Sequence, residues 1–471
     1  MLLDYFRVKL RKEAQFWRDA GIISDVQYQQ LTQRYQIHNL ETATSYRFVF
    51  TLMILGSILV SLGIITFIAA NWQLITPEIK VTLLLSLLFA TNIIGFYLWQ
   101  QSIKTVLSGK EPKGRKSILG KSLLILSALL LGIILSLIVQ TFRINSLNYE
   151  LLLMWSGGVT LMAYSLRLSM LAILGVILLL TSYFTFLSEL PYLGNEINWA
   201  LTTLEHVPLL LWLIFIPLAI LCKSRSTFVL TAIAFIITLQ LNIKPLQYLN
   251  PTSAFPWLAS FAFTLPPTLL WSYNDLLFSK LRLKVRLLYF QQLARGLTFI
   301  FFGILFYILG FHSHWVLPPS NFLQLNSSHN ASLNIATVID ISLLSLIAVS
   351  QWLYQIRTIF NNWTNLIILS WITIAGLIPF WYYLNIDIPG APIVFFNALL
   401  TMMAISLICS SIQEKRKRQF WAGILIIGLL ILTRMLEYNT DLLLLSLVLT
   451  TCGVAVIGLG MWFEQAKGKH K

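Results

Sequence analysis

Apolar runs of about twenty residues recur along this chain from residue 48 to residue 463, separated by short polar stretches. A helix needs ~20 mostly apolar residues to cross ~30 Å of hydrocarbon. Fourteen stretches meet that description: 48–70, 79–99, 122–140, 149–166, 170–187, 207–222, 227–243, 254–273, 289–311, 335–354, 364–384, 391–411, 419–436 and 441–463. A single helix over 149–187 would run ~57 Å at 1.5 Å per residue, so a tight hairpin through Arg167-Leu168-Ser169 is expected instead. The chain is 57% hydrophobic and 11% charged, whereas a soluble domain carries about 25% charged residues. A solvated globular protein and a disordered one are both excluded. The predicted fold class is all-α, a polytopic transmembrane helical bundle of about fourteen spans.

The basic residues give an independent reading of topology. Lys and Arg collect in short cytoplasmic segments of membrane proteins. Here they cluster in 1–47 (seven), 101–121 (six), at Arg167, at Lys223 and Arg225, in 280–295 (five), at Arg357, in 415–418 (four) and after residue 463 (three). Two spans always separate consecutive clusters, and the segments between hold only Lys80, Arg143, Lys244 and Arg434. Both termini are therefore expected in the cytoplasm. The net charge of +15 belongs mostly to the inner face, where anionic lipid headgroups attract Lys and Arg. The expected partners are the lipid bilayer and those cytoplasmic-face headgroups. No nucleic-acid motif argues for another use of the charge. The N-terminal MLLDYFRVKLRKE is charged throughout and is not expected to be a cleaved signal peptide. Cys222, Cys409 and Cys452 are widely spaced and form no disulfide or zinc pattern. No cofactor is expected.

Three domains follow: a cytoplasmic helical hairpin over 1–46, a membrane domain over 47–463 and a basic tail over 464–471. In the hairpin, Leu3, Phe6, Leu10 and Trp17 share one helical face. Gly21 stands where a C′ glycine would end that helix. Ser24-Asp25-Val26-Gln27 reads as a capping box opening a second helix, which presents Tyr28, Leu31 and Tyr35. The two apolar stripes either pack together at the inner headgroup level or dock a membrane-protein partner.

The run Trp17-Arg-Asp-Ala-Gly21-Ile-Ile-Ser24-Asp-Val-Gln27, followed by Leu55-Gly56 through Gly63 and then Ala69-Ala70-Asn71-Trp72, resembles a bacterial family of predicted membrane proteins catalogued as domain of unknown function 2157. Ile22 replaces the Leu that is usual in the family's GLIS motif. The resemblance covers about residues 10–100 and implies a plasma-membrane protein, with no activity attached. Gly56, Gly63 and Ala70 are seven apart, and Ser57-xxx-Ser61 lies alongside. Such stripes let a neighbouring helix approach closely. Trp72 suits the aromatic belt, and Thr76-Pro77-Glu78 suits a helix start.

Polar groups within spans are the functional candidates. Asp340 lies about two turns into the tenth span, and an intramembrane carboxylate marks a functional site by default. It could equally sit at the interface if the helix starts near Val338. Pro266-Pro267 and Pro379 are expected to bend or break spans eight and eleven, as in the discontinuous helices that line carrier substrate sites. Asn92 and Asn397 read as interhelical hydrogen bonds. His312, His314 and His329 share an outer loop without a carboxylate from 312 to 334, and no metal site is expected there. Glu189, Glu196, Glu205 and His206 form an acidic outer loop that could serve acid/base chemistry on a lipid-linked sugar. Three readings remain: a carrier or flippase-like protein for a small or amphiphilic solute, a non-enzymatic scaffold docking through the hairpin, and an outward-facing transferase. No catalytic residue is assigned, and the balance leans away from an enzyme.

Overall fold

The computed structural model describes residues 10, 13–34, 51–63, 66–67, 76–107, 114–142, 147–190, 199–246, 255–274, 290–315, 335–359, 363–384, 390–414, 417–438 and 440–468. Among these residues the structure is helical throughout and contains no strand. Leu3, Phe6, Tyr35, Ala70, Trp72, Glu196, His329 and the tail end 469–471 lie outside the described residues. The chain divides into two compact units, Met1–Thr185 and Phe186–Lys471.

The first unit opens with α1 (13–19) and α2 (Asp25–Arg34). Gly21 takes φ +72° between them, a left-handed conformation that costs a Cβ-bearing residue more than glycine. The capping box forms as its sequence dictates: Ser24 N–H donates to Gln27 Oε1 at 2.9 Å, and Gln27 N–H donates to Ser24 Oγ at 3.3 Å. Arg18 ties the two helices, its guanidinium lying 5.0 Å from the Tyr28 ring centre. Its ion pair with Asp19 at 2.8 Å holds the guanidinium pKa above its ordinary value. Leu10, Trp17, Tyr28 and Leu31 are half-buried, while Phe16, Ile22 and Val26 are exposed.

The helix α3 (Thr51–Gly63) is a short apolar rod. Then come α4 (Pro77–Leu107), α5 (Gly114–Thr141), α6 (Asn148–Leu166) and α7 (Ser169–Glu189). A close backbone crossing joins α4 to α5 through Gly95 and Gly120. A Cβ on Gly120 would sit 2.7 Å from the Trp99 backbone nitrogen and 2.9 Å from the Gly95 carbonyl oxygen. Asn92 donates across the same pair to Ser127 Oγ. Between α5 and α6, the Trp155 indole fills the space left by Gly132 and donates to the Ala128 carbonyl at 2.8 Å. The expected hairpin at 167 forms. Arg167 turns the chain with φ +52°, and Ser156 and Ser182 then bond the Gly175 and Tyr149 carbonyls at 3.0 and 2.7 Å. Gly56 and Gly63 have open space where a Cβ would stand. Among the described residues, a close backbone approach between helices of this unit is seen at Gly95 and Gly120.

The second unit contains α8 (Trp199–Glu205), α9 (Val207–Leu221), α10 (Arg225–Ile243), α11 (Pro256–Ser272), α12 (Phe290–Leu309), α13 (Ile335–Ile359), α14 (Trp363–Leu377), α15 (Ala391–Glu414), α16 (Lys417–Glu437) and α17 (Leu442–Gly468). Its core is aromatic. Phe302, Phe306, Trp371 and Phe396 pack between α12, α14 and α15, with Phe302 stacked on Phe306 at 5.6 Å and Phe306 on Phe396 at 6.1 Å between ring centres. Rings bury large apolar areas at low conformational cost, and their offset and edge-to-face pairs fix orientation.

Nine helices among the described residues are long and apolar enough to cross a membrane: α4, α5, α7, α10, α12, α13, α14 with its 3₁₀ extension, α15 and α16. A tenth results if α8 and α9 count as one bent span. The remaining stretches of the fourteen also fall on helices, but α3 and α17 are shorter in their apolar part. The 17-residue α11 reaches only about 26 Å, and α6 is less apolar because it carries Glu150, Ser156 and Thr160.

Candidate functional site

The prolines of the two spans act differently. Pro266 and Pro267 do not break α11, which runs unbroken from Pro256 to Ser272. Pro266 has no N–H to give the Ala262 carbonyl four residues earlier. Gln240 of α10 satisfies that oxygen instead, its Nε2 donating at 2.7 Å. Pro379 acts more strongly: α14 ends at Leu377 and the chain continues as a 3₁₀ helix over Ile378–Leu384.

A sharp bend lies between α8 and α9, whose axes differ by 67°. His206 stands at the corner with φ −92° and ψ 16°. Pro208 enters the first turn of α9, where a missing N–H does no harm. Pro217 again supplies no N–H, and the residues before it, Leu211–Phe215, wind as a π-helix. Single π turns inside helices occur frequently at functional sites. A break in a span frees backbone groups that lipid cannot satisfy. Here Asn242 of α10 donates through Nδ2 to the Glu205 carbonyl at 2.8 Å.

The corner faces Asp340. The α13 helix is described from Ile335, which puts Asp340 in its second described turn, and the carboxylate is 1% exposed. Its Oδ1 lies 2.5 Å from His206 Nδ1. Its Oδ2 is buried and has no hydrogen-bond partner among the described residues. The imidazole is less enclosed, at 23% exposed. Below Asp340, the packed face of α13 is closed by Leu344 and Ala348, at 0% and 3% exposed. The pair is thus a carboxylate with one oxygen committed to a histidine and the other uncommitted, at the joint of a discontinuous helix. Such a group can hold or release a proton, or accept a cationic or hydrogen-bond-donating solute.

A second polar cluster joins α12, α15 and α16. Arg434 donates from Nε to Asn397 Oδ1 at 3.1 Å, from Nη1 to Glu437 Oε2 at 2.7 Å and from Nη2 to the Tyr307 carbonyl at 2.9 Å. Its guanidinium also lies 3.9 Å from the Phe311 ring centre. Asn397 Nδ2 donates to the Gly310 carbonyl at 3.3 Å, and the His312 backbone N–H donates to Glu437 Oε1 at 2.6 Å. Gly310 leaves the room this requires, since a Cβ there would come 2.6 Å from Asn397 Oδ1. Each acceptor is matched to a donor, so this cluster is a structural clasp.

Asp340 was legible in the sequence, and its partner was not. His206 is 134 residues away and reads from the letters as part of an acidic loop. The available signal was a histidine beside Pro208 within an apolar run also interrupted by Pro217. Glu189 and Glu205 of that loop are described and Glu196 is not. Among the described residues no group of three or more His, Cys, Asp and Glu side chains could hold a metal ion.

Residues 15–172 match the family described as "Predicted membrane protein (DUF2157)", the family that the tryptophan–glycine hairpin and the AANW motif resemble. That match reaches to the start of α7 and so covers most of the first unit. No curated protein and no solved structure matches the chain. The family description and the apolar helices together make this a membrane protein.

Proposed function

We propose that the protein is a carrier or flippase-like protein for a small or amphiphilic solute, with His206 and Asp340 as its coupling pair. The observation that carries this reading is the uncommitted Oδ2 of a carboxylate 1% exposed, held against the joint of a bent helix pair. A carboxylate within a span costs roughly 2.5–3.5 kcal/mol on insertion scales and marks a functional site by default. Discontinuous helices place such groups beside substrate in carriers. On this reading the chain crosses a bacterial plasma membrane fourteen times with both termini in the cytoplasm. The corner at His206 then opens toward the outer side.

The test is reconstitution of the full chain into liposomes bearing a short-chain fluorescent phospholipid, with externally added dithionite reporting movement between leaflets. The wild type is expected to equilibrate the probe, and Asp340→Asn to slow it by about tenfold or more while keeping the same monodisperse profile in detergent. His206→Gln is expected to fall between them. Wild-type vesicles indistinguishable from empty ones refute amphiphile transport, and equal rates for wild type and Asp340→Asn remove the coupling pair.

The scaffold reading keeps one observation of its own: Phe16, Ile22 and Val26 are exposed on the hairpin, outside any apolar span, at 64%, 67% and 65%. It requires a membrane-protein partner to co-purify with the full chain and to be lost on deleting residues 1–44.

A further inference from the structure

A long furrow runs between α10 and α12 in the second unit, with a volume of about 710 Å³. Its two walls are single helical stripes. Ile233 and Ile237 lead along α10 to Gln240 and Lys244, and Ile300 and Ile304 lie on α12, with Phe263 of α11 on the floor. Every other lining side chain is apolar, so Gln240 and Lys244 are the two polar ones, and both lie toward the same end. Gln240 is engaged by the Ala262 carbonyl. Lys244 is exposed, caps α10 in a left-handed conformation with φ +50°, and makes no ion pair among the described residues. From Ile233 to Lys244 the wall is about 16 Å long, the depth of one leaflet's hydrocarbon.

We propose that this furrow is a binding site for one acyl chain of an anionic phospholipid, with the lipid phosphate against the Lys244 ammonium. The argument is one of length and charge together. A groove that is apolar for one leaflet's depth and ends in a single cation, exposed and without an ion pair among the described residues, complements an amphiphile with one anionic head. The walls enclose a chain on both sides, which sets the site apart from ordinary lipid-facing surface. A lysine stem can lie along the apolar rim while its charge remains at headgroup level. The site does not depend on the carrier reading, because occupancy is measured without transport.

The test is native mass spectrometry of the full chain released from mixed micelles doped with phosphatidylglycerol or phosphatidylcholine. The wild type is expected to retain one phosphatidylglycerol in preference to phosphatidylcholine. Lys244→Gln is expected to lower that preference by about fivefold, the effect of one basic residue near anionic lipid. The double variant Ile237→Trp/Ile304→Trp, which fills the furrow, is expected to reduce retention of both lipids. An unchanged preference in Lys244→Gln overturns the proposal, as does displacement of the phospholipid by an added polyprenyl phosphate. A surface charge change leaves the helices intact, so matching elution profiles keep the first comparison interpretable. Should the furrow hold its lipid while the leaflet-exchange assay shows nothing, the site stands and amphiphile transport falls.

Discussion

Arg434 and Asp340 are ionisable side chains on apolar helices, and their surroundings place opposite demands on them. Arg434 directs Nε, Nη1 and Nη2 into an amide oxygen, a carboxylate and a carbonyl, so its charge is held in one geometry. Removing one partner of such a pair leaves the other charge stranded, which costs about 3–5 kcal/mol when buried. Arg434→Met is therefore expected to lower the thermal midpoint of the detergent-solubilised chain by several degrees. The double variant Arg434→Met/Glu437→Met should recover part of the loss, and an additive double loss would show that the clasp is not a unit. Asp340→Asn has a different expectation, because Oδ2 has no described partner to lose: function should change far more than stability. Gln240→Leu is a third case. It leaves the Ala262 carbonyl without its donor and should cost about 1–3 kcal/mol, read as a lower midpoint.

At the level of helices, close approach is set by which glycines meet a neighbour's backbone. A Cβ on Gly120 would strike the Trp99 nitrogen and the Gly95 carbonyl, neither of which can rotate away. Gly120→Ala is expected to destabilise by about 1–3 kcal/mol, as overpacking does, whereas Gly56→Ala, facing open space, should be neutral within about 0.5 kcal/mol. Paired melting curves would decide this, and equal losses would contradict the assigned crossing. The hairpin offers a milder case. Ser24→Ala with Gln27→Ala removes both cap bonds and should cost about 1 kcal/mol, seen as faster amide exchange over residues 25–34. Unchanged protection would mean that packing, not capping, holds α2. These elements differ in how far the letters reveal them. The capping box, Gly21 and the Arg167 hairpin are local, and their spacing determines them. Which glycine faces a neighbour depends on helix rotation, which the seven-residue stripe at Gly56, Gly63 and Ala70 does not fix. The prolines teach the same lesson. Pro266 is harmless because Gln240, 26 positions earlier in the chain, reaches its orphaned carbonyl, and the break falls at His206, where two prolines frame a π turn.

For the whole molecule, the arrangement of basic residues and the lengths of the helices bear on the same count. Among the described residues nine helices pass as spans unaided and the bent pair makes ten, while the alternation of Lys and Arg asks for fourteen. The difference rests on α3, α6, α11 and α17. Parity makes it testable, because each helix that fails to cross moves every later turn to the opposite side. Arg167 and Lys244 are suited to the measurement. Both occupy left-handed turns at helix ends, and with α7, α8–α9 and α10 between them they lie an odd number of crossings apart. With Cys222, Cys409 and Cys452 replaced by serine, Arg167→Cys and Lys244→Cys give two otherwise identical reporters. A membrane-impermeant maleimide added to intact cells is expected to label Lys244→Cys and spare Arg167→Cys until the cells are opened. Sparing of both until the cells are opened would mean that α8 and α9 form a re-entrant loop and not a span. His206 and Asp340 would then line a pocket entered and left from one face. That geometry suits binding and would be incompatible with carriage across the bilayer.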